Sequence, residues 1–358
     1  MGSGAKVLMS LQKVSPKILL VKLSSLGDVL HNLPIVWDLR ACLPEVQIDW
    51  VVEEGYIHLL HPLLSKDGFR GIDRIIPFGL RRWKKNLFKL QTWKEFFAFR
   101  KALQEVSYDV LIETQGLLKS ALVCALARKS SHAVVAGLAN ATEFSGYESV
   151  ARAFYNQCVQ VPKQCHAIDR SRWVMTSALN WSLLYRQKNL THFYPESYVA
   201  QLGSSEISSD LRVLKKPYIL CFHSTAREAK RWSNKHWISL GQSLSSKGYQ
   251  IVFPWGNSSE KKISVQLASQ IEGAIVPEAF SIQEAFPIIA SAALTVGVDT
   301  GLTHLAAVLG KPTIEIYCDS PRWKTEGYWS DQIINLGDIK APPTVDAALS
   351  ASLRLLAQ

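Results

Sequence analysis

The sequence lacks the features that mark several common classes of protein. Its six cysteines are scattered, and no two stand in the C-x-x-C spacing of a metal or redox site. No apolar run approaches the roughly 18 residues needed to span a bilayer. The N-terminal stretch has no apolar core of the kind found in signal peptides. We therefore expect reduced thiols in a cytoplasmic protein, either soluble or peripherally bound to a membrane.

Length and charge narrow the possibilities further. A chain of 358 residues is too long for one ordinary core, so two domains of roughly 150 residues are expected. The net charge of +10 suits nucleic acid, an anionic membrane face or a phosphorylated substrate equally well. No nucleic-acid recognition motif is present, and the basic residues do not alternate with aromatics on one identifiable surface. We therefore expect no nucleic-acid partner.

Apolar runs of strand length alternate with longer segments of helical period along both halves of the chain. Strands are predicted over 18–22, 47–52, 74–78, 109–113 and 133–137, then over 218–222, 250–254, 274–276, 293–298 and 313–317. Helices are predicted over 92–106, 116–128, 166–185, 301–309 and 345–356. Two successive β-α-β series predict an α/β protein with two doubly wound, mostly parallel sheets. Ligands should lie beyond the C-terminal ends of the strands.

These patterns predict four segments. The N-terminal Rossmann-like domain spans 1–165, a crossover and linker spans 166–216, and the second Rossmann-like domain spans 217–340. The Ala-Pro-Pro run at 341–343 is a stiff tether. It can return a last helix, within 341–358, onto the N-terminal domain.

Two glycine-centred turns are the most informative local feature. The turn at 24–31 reads SSLGDVLH and the turn at 298–304 reads VDTGLTH. Each follows a predicted strand and opens a predicted helix, so backbone N–H groups and the helix dipole can hold an anion there. The first turn presents the carboxylate of Asp28 and the second offers a phosphate cradle. This division predicts a transferase with its active site in a cleft between two domains. The alternative is that Asp28 only caps its own helix.

Two other clusters fit a phosphorylated or acidic substrate. Residues 81–85 are the densest positive charge in the chain, and guanidinium groups bind carboxylates and phosphates in bidentate fashion. A solvated basic loop is the alternative. After the predicted strand 218–222 come Thr225 and Lys230, and the chain contains no Asp-x-Asp pair. A departing diphosphate must be neutralised by a metal or by fixed cations, so this absence favours Lys230, and we expect no metal site.

Six motifs in order resemble the lipopolysaccharide heptosyltransferases, in particular the heptosyltransferase I group. They lie at 24–31, 81–85, 114–120, 223–232, 254–256 and 298–304, within a stretch of roughly 17 to 320. The resemblance implies a GT-B fold and a metal-independent, inverting transfer without a cofactor. L-glycero-D-manno-heptose would pass from ADP-heptose to the first Kdo of Kdo-lipid A. It also implies a Gram-negative enzyme, peripheral at the cytoplasmic face of the inner membrane.

The same resemblance assigns roles to residues. Asp28 would be the catalytic base and Lys230 would stabilise the leaving group. Acceptor-binding residues would be Arg81, Arg82, Lys84, Lys85 and Lys119. Donor-binding residues would be Thr225, Lys230, Glu260, Asp299, Thr300, Gly301 and His304, with Glu260 on the nucleotide ribose, Asp299 on heptose hydroxyls and His304 on a phosphate. The alternatives are a related heptosyltransferase with another core acceptor and a GT-B nucleotide-sugar epimerase.

Overall fold

The computed structural model describes residues 15–65, 70–181, 193–203, 217–225 and 227–357. The chain divides into two compact units, Met1–Phe193 and Tyr194–Gln358. Each unit is built on its own sheet, as the alternating strands and helices predicted. In the part of the chain that is described, no helix is both long and apolar enough to cross a membrane.

The sheet of the first unit has six strands in the order β3-β2-β1-β4-β5-β6, and all neighbours are parallel. The strands are β1 (Lys17–Val21), β2 (Gln47–Glu53), β3 (Arg74–Phe78), β4 (Tyr108–Glu113), β5 (Lys129–Leu138) and β6 (Gln157–Val159). The central strand β1 is buried from Ile18 to its last residue, as a parallel strand covered by helices on both faces must be. The chain order reverses between β1 and β4, which places the turn after β1 at a position typical of ligand sites.

The helices of the first unit pack on this sheet. They are α1 (Leu26–Leu30), α2 (Pro34–Cys42), α3 (Ile57–Leu60), α4 (Leu80–Lys85), α5 (Leu90–Gln104), α6 (Leu118–Leu126) and α7 (Ala167–Ala178). Phe99 and Leu103 of α5 and Val123 of α6 join Leu19 and Leu111 of the sheet in one apolar core. Pro34 stands at the first turn of α2, where its missing N–H removes no helical hydrogen bond.

The second unit has five strands in the order β11-β10-β9-β7-β8, again all parallel. They are β7 (Tyr218–Phe222), β8 (Gln250–Val252), β9 (Leu294–Val298), β10 (Thr313–Tyr317) and β11 (Ile333–Gly337). The helices are α8 (Glu196–Gly203), α9 (Asn234–Ser245), α10 (Ser258–Ala268), α11 (Ile282–Ala290), α12 (Gly301–Val308) and α13 (Val345–Leu356). The predicted strand at 274–276 is reduced to a single bridge between Ile275 and Val252, while β6 and β11 were not predicted.

The C-terminal helix α13 belongs to the second unit. Its buried residues Ala348, Ala351 and Leu355 lie in one core with Trp237 and Leu240 of α9. The tether before it is held in the same unit, because the indole N–H of Trp232 donates to the carbonyl of Pro343 at 2.9 Å. The prediction that this helix packs on the N-terminal domain is therefore wrong: its apolar face is used by the nearer sheet.

The predicted crossover is not a separate element in its described parts. Helix α7 packs against β4, β5 and α2 of the first unit, and α8 packs against α11 of the second. Ile168, Val174 and Met175 of α7 are buried, so its apolar face completes one side of the first sheet. Residues 182–192 and 204–216 of the predicted crossover lie outside the described residues.

Candidate active site

The turn after β1 carries Asp28 in the short helix α1. The Oδ2 atom of Asp28 accepts hydrogen bonds from the backbone N–H and the hydroxyl of Ser25, both at 3.0 Å. The Oδ1 atom lies 3.5 Å from Lys22 Nζ and 3.5 Å from Arg170 Nη2. The side chain is 39% exposed. Asp28 is therefore a helix cap through one oxygen and an accessible carboxylate through the other; these four residues are named the Asp28 centre below.

Both cations of the Asp28 centre are buried. Lys22 Nζ also donates to the carbonyl of Thr114 at 3.3 Å. Burial by itself favours the protonated form of Asp28, but Lys22, Arg170 and the Ser25 donors outweigh it and hold the pKa of this carboxyl well below its usual range. Burial lowers the pKa of Lys22, with Asp28 acting in the opposite sense. Asp28 is thus ionised throughout the neutral pH range.

A second charged group adjoins the same turn. Lys119, in the first turn of α6, donates to the hydroxyl of Ser24 at 3.0 Å and lies 3.3 Å from Glu53 Oε1. The other oxygen of Glu53 is 2.6 Å from Arg81 Nε. The Glu53 side chain is only 5% exposed, whereas Arg81 is 68% exposed. The buried carboxylate thus fixes two predicted acceptor-binding cations beside the Asp28 turn.

The basic cluster on α4 divides into paired and unpaired cations. Arg82 makes ion pairs with Glu54 and Glu95. Trp83 is buried and donates its indole N–H to Glu95 at 3.0 Å. Lys84 and Lys85 are exposed and form no ion pair within the described parts of the chain. The arginines are therefore anchored by protein carboxylates, while the lysines remain open to an anion.

An apolar cavity of about 680 Å³ lies between α4, α5 and α6 of the first unit. Its walls include Trp83, Phe96 and Leu122, and Lys84 and Lys119 also line it. The cavity therefore places an apolar surface directly beside the cations that adjoin the Asp28 turn.

In the second unit, Asp299 follows β9 and precedes α12. Its side chain is 7% exposed. One oxygen, Oδ2, is bound by the Lys230 ammonium. The other, Oδ1, accepts from the Thr325 hydroxyl at 3.2 Å and lies 3.0 Å from His304 Nε2. Burial favours the protonated form of Asp299, but His304 and Lys230 hold its pKa well below the usual range. These residues, with Glu315, are named the Asp299 centre.

His304 lies between two buried carboxylates. Its Nδ1 atom is 2.8 Å from Glu315 Oε1, and its Nε2 atom is 3.0 Å from Asp299 Oδ1. Burial alone would lower the pKa of His304, but the two carboxylates raise it to about 10. Both ring nitrogens therefore carry protons and donate to carboxylates. The prediction that His304 contacts a phosphate stays a prediction, and both of its ring nitrogens already contact carboxylates.

The start of α12 offers backbone donors beside this centre. Thr300 is the N-cap, and its carbonyl accepts from Thr303 N and His304 N, both at 3.1 Å. The N–H groups of Gly301 and Leu302 have no hydrogen-bond partner among the residues described. Unpaired amides at a helix N-terminus attract anions. The start of α12 thus offers free backbone amides near Asp299, the partner of Lys230, and their role as a phosphate cradle stays a prediction.

Two further predicted donor-binding residues are only partly engaged by the protein. The Thr225 hydroxyl donates to the carbonyl of Asp299 at 3.4 Å. Glu260, in the first turn of α10, accepts from Gly256 N through Oε2 at 2.7 Å. Its Oε1 atom has no hydrogen-bond partner in the described chain. Glu260 therefore supports its own loop and keeps one oxygen for a ligand, and its ribose role stays a prediction.

Known proteins resemble this chain in both sequence and fold. A model of glycosyltransferase family 9, described as heptosyltransferase, matches residues 96–352. Lipopolysaccharide heptosyltransferase 1 of Pseudomonas aeruginosa is 34% identical over 329 residues, which is 91% of this chain and 85% of that protein. This chain belongs to glycosyltransferase family 9. The family 9 enzyme described here is thus a heptosyltransferase, and the resemblance on which its sequence was interpreted is confirmed.

Solved structures support the same assignment. The Escherichia coli heptosyltransferase WaaC with ADP matches with a TM-score of 0.75 and 30% identity, over 95% of this chain and 99% of that one. The same enzyme with ADP-2-deoxy-2-fluoro heptose matches with a TM-score of 0.69 and 31% identity, over 94% and 98%. The predicted α/β GT-B fold class of this family 9 enzyme is confirmed, and its family membership decides against the epimerase alternative.

Sequence reasoning missed several residues of the family 9 enzyme's two centres. Two of them carry a local signal: Lys22 directly follows the apolar run of β1, and Glu315 interrupts the apolar run of β10. A charge within or beside a buried strand requires a partner. Arg170 and Thr325 carry no such signal, because each reaches its centre from a segment distant in sequence.

Proposed function

We propose that this heptosyltransferase transfers L-glycero-D-manno-heptose from ADP-heptose to the first Kdo of Kdo-lipid A. The observation that carries this proposal is the Asp28 centre, an accessible and ionised carboxylate flanked by fixed cations. The donor is supported by the E. coli relative, whose structures are with ADP and with ADP-2-deoxy-2-fluoro heptose. The named acceptor is what the resemblance to the heptosyltransferase I group implies, and the similarity to a lipopolysaccharide heptosyltransferase 1 supports it.

The reaction we propose is a direct displacement. Asp28 takes the proton from the acceptor hydroxyl of Kdo while that oxygen forms a bond to the anomeric carbon of heptose. The bond between this carbon and the β-phosphate oxygen breaks, ADP leaves with the electron pair, and the configuration inverts. The hydroxyl becomes strongly acidic as its new bond forms, so a carboxylate with a lowered pKa is basic enough to accept the proton.

We propose that fixed positive groups of the second unit stabilise the departing ADP. Lys230 is held by Asp299 and remains 16% exposed, so its ammonium is oriented in advance of binding. The N–H groups of Gly301 and Leu302 add hydrogen bonds to the diphosphate. The described residues contain no group of three His, Cys, Asp or Glu side chains able to hold a metal. We propose that these cations and amides serve in place of a metal.

We assign acceptor binding to the cations around the Asp28 turn. Kdo carries a carboxylate, and Arg81 is anchored at Glu53 through Nε while most of its side chain is exposed. Lys84 and Lys85 are open to further anionic groups of the acceptor. Because the acceptor is lipid-anchored, we propose that the enzyme works peripherally at the cytoplasmic face of the inner membrane.

The test uses purified enzyme, ADP-heptose and Kdo-lipid A in excess chelator, with ADP release and acceptor mass as readouts. The proposal expects the acceptor to gain one heptose without added metal. A matched reaction uses an acceptor that already carries its first heptose. A mass gain only in that reaction would overturn the proposed acceptor in favour of another core position. Activity that requires added metal would overturn the assignment of Lys230 and the amides.

A further inference from the structure

One segment of the first unit holds most of the net charge of the protein. Residues 80–101, here named the basic segment, contain eight Lys or Arg and one Glu, a net charge of +7 out of +10 for the whole chain. Of the ten exposed large hydrophobic side chains among the described residues, five lie in this segment: Leu87, Phe88, Leu90, Trp93 and Phe97. Positive charge and exposed apolar surface therefore occur together.

Most of this charge is not neutralised by the protein. The one carboxylate of the segment, Glu95, is occupied by Arg82, Trp83 and Gln91. The remaining cations form no ion pair in the described chain; they are Lys84, Lys85, Lys89, Lys94, Arg100 and Lys101. A surface with six unpaired cations attracts an extended anionic partner.

Helix α5 has more apolar surface than its core requires. One set of residues, Thr92, Phe99 and Leu103, is buried against the first unit. A second set, formed by Leu90, Trp93 and Phe97 at spacings of three and four, is exposed. The first set explains how α5 packs on the sheet, and the second set has no role in that packing.

The loop before α5 is ordered by hydrogen bonds that leave its apolar side chains outside. The Thr92 hydroxyl donates to the carbonyl of Asn86 at 2.8 Å, and the Trp93 indole donates to the carbonyl of Leu87 at 3.0 Å. Phe88, between these anchors, is 104% exposed. The loop therefore presents Phe88 in a defined position, with no intramolecular contact for the ring to lose.

We propose that the basic segment is the surface by which this enzyme docks on an anionic lipid bilayer. Phe88, Leu90, Trp93 and Phe97 enter the interface, while the unpaired lysines contact anionic headgroups. This inference rests on the proposed function in one respect, since that function supplies a lipid-anchored acceptor. A bilayer fits this segment because its large exposed apolar side chains suit the acyl layer and its unpaired cations suit the anionic headgroups.

The docking surface is continuous with the acceptor residues. Phe96 lines the apolar cavity together with Lys119. Its ring contacts the exposed Trp93 at a centroid distance of 6.3 Å and the exposed Phe97 at 5.9 Å. Lys119 in turn bonds Ser24 of the Asp28 turn. A lipid-anchored acceptor lying in the bilayer is thus presented to the Asp28 centre along one apolar surface.

The experiment measures flotation of the full chain with vesicles of phosphatidylethanolamine and phosphatidylglycerol, against vesicles of phosphatidylcholine alone. Phe88→Asp is compared with Val265→Asp, a matched control at a 51% exposed position on α10. The single variants Lys89→Glu and Lys94→Glu are each compared with Lys247→Glu. Turnover is measured in parallel with a de-acylated, water-soluble acceptor.

We expect binding to anionic vesicles that Phe88→Asp weakens about ten-fold and Phe88→Leu restores. Each lysine reversal should weaken binding at least about five-fold, while both control variants bind as the wild type does. Turnover of the water-soluble acceptor should not change. Unaltered vesicle binding by Phe88→Asp, or no binding by the wild type, overturns the docking surface. Vesicle binding without any turnover would instead contradict the proposed function and leave docking in place.

Discussion

Asp28 and Asp299 both lie at glycine-containing turns that follow buried parallel strands, yet they occupy opposite environments. Asp28 is the third residue of α1, directly after Gly27, and Asp299 lies two residues before Gly301, the first residue of α12. Asp28 is 39% exposed, and its Oδ1 faces two cations at 3.5 Å. Asp299 is 7% exposed, and both its oxygens already contact protein donors. The first can meet a substrate, whereas the second is committed to Lys230 and His304.

The difference shows that a carboxylate at a glycine-containing turn can either stay accessible or be enclosed by donors. A carboxylate accepts a substrate proton only where an oxygen remains accessible. A carboxylate surrounded by donors serves instead to orient them, as Asp299 orients Lys230. The prediction that Asp299 binds heptose hydroxyls stays a prediction, and its observed contacts favour a positioning role. The experiments below alter the two centres so that this contrast either sharpens or disappears.

The largest effect is expected for Asp28→Asn. The amide keeps an acceptor for the Ser25 cap but cannot take a proton, so kcat should fall about 10³-fold. Binding of ADP, measured by calorimetry, should stay within about two-fold, because Asp28 makes no contact with the nucleotide in the proposed reaction. Turnover within ten-fold of wild type would remove Asp28 as the base.

Asp299→Asn should lower the free energy of unfolding, whereas Asp28→Asn should lower kcat. The substitution leaves Lys230 and His304 without their shared buried charge, and breaking such a group costs about 3 kcal/mol of unfolding free energy. Urea denaturation measures this loss, with Asp28→Asn as the matched control because its carboxylate is far more exposed. A smaller loss for Asp299→Asn than for Asp28→Asn would reverse the contrast drawn here.

Lys230→Gln tests whether Asp299 acts through this lysine. Loss of the ammonium should lower kcat about 10²-fold and weaken ADP-heptose binding, since one fixed charge on the leaving group is lost. Lys261→Gln, on the same unit and 43% exposed, is the control. If both variants retain donor affinity and kcat, the leaving-group site lies elsewhere.

The smallest effect concerns pH. The pKa of His304 is raised to about 10 from an ordinary 6.5, so the stability that its charge contributes is complete below pH 6.5. That contribution is lost as pH rises through 10, and the urea midpoint should fall over this range. His304→Gln should flatten the decline. A midpoint that rises with pH, or an equal decline in the variant, would contradict a charged His304.

Local sequence patterns predicted much of the architecture. Strands β3, β7 and β10 were predicted at their observed bounds, and β1, β2 and β4 within one residue at each end. The glycine turns and the helix α12 were likewise expected. These features depend on apolar period, capping residues and glycine, which act over neighbouring residues. The prediction of a strand at 274–276 was wrong, because these three residues form only one bridge to the sheet.

Local sequence patterns and the resemblance were enough to predict an α/β heptosyltransferase with two parallel sheets and two aspartates at glycine-containing turns. The folded structure was needed to see that Asp28 remains accessible between Lys22 and Arg170, and that His304 is enclosed by Asp299 and Glu315. It also decided that α13 stays with the second sheet. The physical reason is that exposure and charge state depend on groups brought together from distant segments, which no local pattern records.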